Sequence, residues 1–495
     1  MTTKNRCNSI LHSTFAALAL AGLTMLTNGC DMIEYHPYDL NIKGDTDINR
    51  RNIQTIEANL NGKEEFSFVL ISDTQRWYDE TEDAVNAINE RNDVDFVIHC
   101  GDLSDFGMKM EFEKQRDILN RLSVPYVCLL GNHDCLATGK EVFNTIFGDE
   151  NFAFTAGNVR FVCLNTNALE FDYSEAIPDF SFLEHELQNF PSQASKTVVA
   201  MHAPPRSEQF NNNIARVFQY CISQFPSLQF CIYGHIHSFS ESDIFEDGTM
   251  YYSAPSINKR NYVYFTIKKM NTTMSWSISK YLLTALLAAP LNLFGITDET
   301  EELPAPKRWD KRVHLKYEGW ERLKPTHAKI QYAGGMGVMS AGVGWDYGKR
   351  RQWETDFLIG YLPAKYATDF LFTLTVKQNY IPWSMSFGEH WALEPFYCGL
   401  YLTTIAGEEF WEKEPGRYPN RYYNFSTKIR PYIFVGQRLN FNLKHGIVKH
   451  ISLFYEVSSC ELYIISKATN KSLTMKDILR FSFGAKVQLF KNRQK

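Results

Sequence analysis

From about Arg312 to the C-terminus, hydrophobicity alternates with a period of two over unusually long segments. In the last of them Leu479, Phe481, Phe483, Ala485, Val487 and Leu489 share one face, and Arg480, Ser482, Gly484, Lys486 and Gln488 the other. Another sets Phe370, Phe372, Leu374 and Val376 against Leu371, Thr373, Thr375 and Lys377. Further segments cover about 354–362, 396–405, 424–440 and 447–463. Because strand side chains alternate between faces, each segment has one apolar and one polar side. Strands of roughly 9–11 residues, apolar outward and polar inward, are what a membrane β-barrel requires, whereas soluble strands run nearer about 5–6. Within a bilayer such a sheet satisfies its edge groups only by closing on itself. Aromatic content is 14% overall, and Tyr and Trp are enriched here, with 14 of the 26 Tyr and six of the nine Trp, which suits the girdles of such a barrel. Closure needs an even strand number. The expectation is eight, with 313–317 or the glycine-rich stretch 329–345 supplying the least certain one.

The other end of the chain reads as an export signal. Lys4 and Arg6 precede an apolar run over about 15–26, and Gly29 then precedes Cys30. That order is secretory, and its ending resembles a lipoprotein signal in which Cys30 becomes the lipidated first residue. The expected organisation is a signal peptide at 1–29 and a polar tether at 30–62. A layered domain follows at 63–270, then a linker with an apolar helix at 271–311 and the barrel at 312–495. The remaining cysteines form no CxxC pairs, so no essential disulfide is expected. A net charge of −5 gives no bulk attraction to a nucleic-acid polymer. No protein partner is expected.

Five short apolar runs lie in the layered region, and each ends in potential ligands. The run at 66–71 leads to Asp73 and Gln75, 95–100 to Asp102, and 126–130 to Asn132, His133 and Asp134. The run at 197–200 leads to His202, and 230–233 to His235 and His237. Nearly continuous apolar strands with helical stretches between them imply an α/β sheet covered on both faces. Ligands gathered at strand C-termini mark the site of such a fold. Carboxylate, amide oxygen and imidazole suit Mn, Fe or Zn. Two cations about 3.5–4 Å apart need a shared carboxylate, and Asp102 in its Gly-Asp turn fits that role.

Asp73-Thr74-Gln75, Gly101-Asp102, Gly131-Asn132-His133-Asp134, His202 and Gly234-His235-Ile236-His237 resemble the five blocks of the calcineurin-like metallophosphoesterases. The resemblance covers about residues 63–270 and implies an αββα sandwich of two packed sheets. It implies one divalent metal ion on Asp73, Gln75, Asp102 and His237, and a second on Asp102, Asn132, His202 and His235. In the first block Gln75 stands where the family commonly has histidine, and an amide oxygen holds a borderline metal less firmly.

The reaction implied is hydrolysis of a phosphoric ester by in-line attack of hydroxide. His133 would protonate the leaving oxygen, with Asp134 orienting it. Arg206 is either a phosphate contact or solvated surface. Anchoring at both ends favours a membrane lipid or envelope nucleotide phosphoester as substrate. The expected location is the outer membrane of a bacterial envelope, with the catalytic domain periplasmic. Two other readings stand beside this one. His450, Ser452 and Glu456 share a strand face, and His-x-Ser is similar to the active strand of outer-membrane lipid A deacylases. Alternatively, Gln75 marks a metal-poor binding module on a barrel scaffold.

Overall fold

The computed structural model describes residues 32–268, 275–280, 320, 323–348, 352–387, 390–442 and 450–488. The expected signal peptide, Cys30 and the apolar stretch at 281–296 lie outside them.

Eleven strands build the first unit: β1 (Phe66–Ile71), β2 (Phe96–His99), β3 (Tyr126–Cys128), β4 (Phe152–Ala156), β5 (Val159–Leu164), β6 (Lys196–Met201), β7 (Leu228–Tyr233), β8 (Glu241–Ser242), β9 (Met250–Ser253), β10 (Asn261–Ile267) and β11 (Ser275–Lys280). One sheet runs β11-β10-β1-β2-β3 and the other β4-β5-β6-β7-β9-β8. β1, β2 and β3 are parallel, as are β5, β6, β7 and β9. Every residue of β1 is buried, because its even face meets the second sheet and its odd face meets helices. Phe68 shows the packing: its ring stacks on Phe265 at 4.8 Å and meets Phe161 edge-on at 5.4 Å, across the sandwich. The helices Tyr78–Asn89 and Lys109–Leu119 cover the first sheet, and Phe180–Gln188 and Ala215–Ser223 cover the second. The result is the expected sandwich of mixed α/β sheets.

The second unit has nine strands: β12 (His327–Ala333), β13 (Met339–Tyr347), β14 (Trp353–Leu362), β15 (Leu371–Tyr380), β16 (Met385–Phe387), β17 (Trp391–Ile405), β18 (Ile429–Asn442), β19 (His450–Cys460) and β20 (Arg480–Gln488). β15 pairs with β17, and β12 with β20, so eight long strands close into an antiparallel barrel with β16 as a short addition beside β17. The glycine-rich stretch 329–345 contributes two strands, β12 and β13, joined by a tight turn.

Burial in the barrel is inverted relative to a water-soluble protein. Phe357, Ile359, Phe372, Leu374, Leu402 and Ile433 point outward and are about half exposed. Lys329, Asp356, Lys377, Arg438 and Glu456 point inward and are buried. Inside, Lys329 pairs with Asp356 at 2.9 Å, Arg438 with Glu354 at 2.9 Å, and Lys377 with Glu456. Paired charges fill the interior, so this section of the barrel is a plugged scaffold.

The segment expected to be an irregular tether is instead packed. Residues Ile48–Leu60 form a helix whose Ile48, Ile56 and Leu60 are buried, a helical spacing masked by the polar residues between them. Upstream, Tyr35, His36, Tyr38 and Asp39 are buried between the two units. Gly334 and Gly337 N–H groups donate to the carbonyls of Glu34 and Tyr35 at 3.0 and 2.9 Å. The Glu34 carboxylate accepts from Arg480 at 2.6 Å and Tyr463 at 2.9 Å. From the barrel's other connections, Asn470 accepts from the Tyr78 N–H at 3.0 Å, and the Asp79 carboxylate accepts from the Ser472 N–H at 2.7 Å. The near end of the barrel is therefore bound closely to the sandwich.

Candidate metal centre

The C-terminal ends of β1, β2, β3, β6 and β7 converge at one edge of the sandwich, and their following loops touch. Small residues permit this. Gly101, at φ +88°, has no room for a Cβ, which would stand 2.6 Å from the His202 ring and 2.8 Å from Gly131. A Cβ on Gly131 would lie 2.1 Å from the Asp102 amide. Among the candidate ligands Asp73, Asp102, His235 and His237 all have positive φ, a conformation costing of order 1–3 kcal/mol and held only where the surroundings enforce it. Such strain gathered at one edge marks a functional site.

Asp73, Asp102 and His202 offer ligand atoms within 4.8 Å of one another. Asn132 Oδ1 stands 3.0 Å from His202 Nε2 and 3.1 Å from His235 Nδ1. His237 Nε2 stands 3.2 Å from Asp73 Oδ1, and the Gln75 amide donates to Asp102 at 3.3 Å. The seven expected ligands thus form one connected cluster. His202 is further held by its Nδ1, 2.6 Å from the Cys100 carbonyl, the kind of second contact that fixes a ligand's tautomer.

Two features of the cluster fit divalent cations. Gln75 Oε1 is a buried acceptor with no hydrogen-bond donor, which costs about 1–3 kcal/mol, and the buried Asp73 Oδ1 faces the His237 ring nitrogen at 3.2 Å. A cation satisfies the Gln75 oxygen. Burial disfavours a charged His202, yet the Asp102 and Asp73 carboxylates outweigh it and raise its pKa to about 9. The cluster is a well of negative potential lined by oxygen and imidazole donors, as hard or borderline metals require.

His133 and Asp134 sit differently from each other. His133 remains partly exposed above the cluster, with Nδ1 2.9 Å from the Asp105 carbonyl and 3.5 Å from its carboxylate. Burial opposes its protonation, but Asp102 and Asp105 more than offset this and raise its pKa. Asp134 makes no contact with that ring. Its carboxylate accepts from the backbone N–H groups of Gly131 and Asp102 at 2.9 Å and Ser104 at 2.8 Å, tying two ligand loops together. Asp105 therefore occupies the orienting position expected for Asp134. Its signal was present, three residues after Asp102 in the same loop. Arg206 is exposed, its guanidinium 6.0 Å from the Phe245 ring, and it makes no contact with the cluster.

Glu170, Glu208 and Tyr423 carry no motif and were missed. Glu208 Oε1 lies 3.0 Å from His235 Nε2, and Tyr423, from the barrel, receives a hydrogen bond from the Asn132 amide at 2.8 Å. The acyl-hydrolase candidates are far from this centre. Ser452 Oγ stands 3.4 Å from His450 Nε2, but Ser452 is 1% exposed inside the barrel. Glu456 is committed to Lys377, Gln331 and Tyr397.

Residues 66–239 match the model of the calcineurin-like phosphoesterase family. A 3',5'-cyclic-nucleotide phosphodiesterase of Nostoc sp. is 28% identical over 158 residues, which are 30% of this chain and 57% of that protein. The serine/threonine-protein phosphatase CPPED1 of Rattus norvegicus is 37% identical over 101 residues, covering 18% of this chain and 32% of its own. The chain thus spans about half or less of the curated relatives it matches. Among solved structures, the purple acid phosphatase PPD1 of yellow lupin (Lupinus luteus) aligns with 44% of this chain and 52% of its own, at 14% identity and a TM-score of 0.35. Residues 66–239 thus carry the match to the calcineurin-like phosphoesterase family, and they are joined to a closed eight-stranded barrel.

Proposed function

We propose that the protein is a metal-dependent phosphoric ester hydrolase fixed in a bacterial outer membrane, acting on a lipid or nucleotide phosphoester. The observation that carries this reading is the single cluster formed by Asp73, Gln75, Asp102, Asn132, His202, His235 and His237, in which the buried Gln75 Oε1 lacks a donor. Asp73, Gln75, Asp102 and His237 would hold one divalent cation, and Asp102, Asn132, His202 and His235 the other. Such a pair, when bound, supplies hydroxide near neutral pH and neutralises phosphoryl charge.

The chain's own residues supply the rest. His133, whose pKa is raised because Asp102 and Asp105 outweigh its burial, would donate to the leaving oxygen. Asp105 holds the ring through Nδ1, so Nε2 is the nitrogen that would meet the leaving oxygen. The Nostoc relative, by its name a cyclic-nucleotide phosphodiesterase, favours a diester among the substrates to try first. With Mn present, the purified protein is expected to hydrolyse an aryl phosphate diester, a monoester or a 3',5'-cyclic nucleotide. His235→Ala should lower the rate at least about 100-fold. Equal rates for the two proteins would remove the assignment.

The inverted burial of the barrel supports insertion in a bilayer, and lipidation of Cys30 would add a second anchor. For facing, the length of the connections is informative. The end bound to the catalytic domain carries two long connections, 406–428 and 461–479. Outer-membrane barrels keep short turns in the periplasm and long loops outside. Long loops at that end support an outward-facing catalytic domain, against the periplasmic one expected from sequence. Protease added to intact cells should then degrade the catalytic domain. Protection in intact cells, with cleavage only after the outer membrane is opened, would restore the periplasmic assignment.

A further inference from the structure

The longest connection of the barrel, 406–428 between β17 and β18, folds over the candidate metal centre. Tyr418 and Tyr423 from this loop are buried against Leu136 and Leu169 of the catalytic domain, with Trp411, Tyr422 and Phe425 packed around them. Tyr423 lies edge-on to His133, ring centroids 5.1 Å apart. Its hydroxyl is the middle of a directional chain. Asn132 Nδ2 donates to the Tyr423 hydroxyl at 2.8 Å, and that hydroxyl donates to Glu170 Oε1 at 2.9 Å. Glu170 also accepts from Tyr418 at 2.7 Å and Gln209 at 2.7 Å.

The sense of this chain follows from what each group can do. A carboxylate surrounded by three donors only accepts, so the Tyr423 proton points to Glu170. The hydroxyl oxygen can then accept only from an N–H, which must be the Asn132 amide nitrogen. Asn132 Oδ1 is thereby turned toward His202 and His235, where a cation would need an oxygen. The reverse amide orientation would present an N–H₂ group there and leave the hydroxyl oxygen facing another acceptor. Tyr422 reinforces the neighbouring ligand: its hydroxyl donates to Glu208 at 3.1 Å, and Glu208 holds His235 Nε2 at 3.0 Å.

We propose that the barrel loop is part of the catalytic apparatus, with Tyr423 as a positioning residue that sets the amide orientation of Asn132 and hence the affinity of one metal site. The proposal rests on the metal-centre reading above. It makes the barrel more than an anchor, since the ligand geometry of one cation is completed by a residue some 290 positions away in sequence. The loop is also secured at its base, where the Trp411 N–H donates to Thr427 Oγ1 at 2.8 Å.

The test is a Mn titration and a turnover assay on the full-length protein in detergent, comparing wild type with Tyr423→Phe. The substitution keeps the ring and removes only the hydroxyl. The Mn affinity of the site that includes Asn132 should fall about 10–100-fold, the usual effect of removing a partner behind a ligand, while the affinity of the Gln75 site stays near its wild-type value. Turnover at limiting Mn should drop in parallel and recover at saturating Mn, with KM nearly constant. A purely structural loss would lower the thermal midpoint without this recovery. If Tyr423→Phe fails to fold, Glu170→Gln tests the same chain, because an amide in place of the carboxylate no longer dictates the hydroxyl direction. It should weaken the same site and respond to Mn in the same way. Unchanged Mn affinity in a folded variant overturns the proposal while leaving the hydrolase assignment intact. A wild type that neither binds Mn nor hydrolyses any ester overturns the assignment itself.

Discussion

Lys109 and Asp39 are both buried where the N-terminal segment crosses from sandwich to barrel, and they pair with each other. Burial pushes the Asp39 carboxyl up, but the Lys109 ammonium and backbone donors outweigh that and hold it below the usual carboxylate range. A depressed carboxylate pKa adds stability that is present above about pH 4 and lost on acidification below it. Lys109→Met removes the partner and leaves a buried charge, at a cost of about 3–5 kcal/mol near pH 7. In that variant only the backbone donors of Tyr35, His36 and Asn41 still oppose burial, the Asp39 pKa rises, and the deficit should shrink as pH falls from 7 toward 5. Urea midpoints at the two pH values measure it; a midpoint equal to wild type at pH 7 would contradict it. The same scale shows what sequence could reveal. Asp102, Asn132, His202 and His235 announced themselves because chemistry restricts those positions to few residue types. Glu170 and Tyr423 did not, because any acceptor or hydroxyl placed by the fold would look alike in the chain. Asp134 differs from its expected placement for a related reason, since a carboxylate beside a histidine in sequence can face the backbone instead.

At the level of elements, the period of the apolar pattern was the most legible signal. The continuous runs of β1, β2, β3, β6 and β7 became strands buried on both faces, and the alternating segments became barrel strands with polar interiors. What the pattern missed were the breaks. The segment expected to continue over 447–463 stops at Cys460, where the chain turns into the helix Glu461–Thr469. The residues 424–428, expected to be strand, belong instead to the loop over the metal centre, and β18 starts at Ile429. In both places tertiary contacts override a local pattern: Tyr463 is drawn to Glu34, and Tyr423 to Asn132 and Glu170. The helix Ile48–Leu60 was hidden because its buried residues are spaced too sparsely among polar ones to raise the average hydrophobicity.

For the whole molecule, each unit was readable alone, but their union was not. Docking depends on contacts such as Tyr78 with Asn470, separated by 392 positions, and no composition or period encodes them. The consequence is a candidate metal centre roofed by a loop of the barrel, in which the expected ligands and their supports come from distant parts of the chain. All of this depends on the converging side chains holding a pair of divalent ions around Asp102. Elemental analysis of the purified full-length protein addresses it directly. About two divalent ions per chain are expected in the wild type, as a two-metal site requires, with nearly complete loss of both in Asp102→Ala. Well under one ion per wild-type chain, or a metal content indifferent to Asp102→Ala, would contradict it.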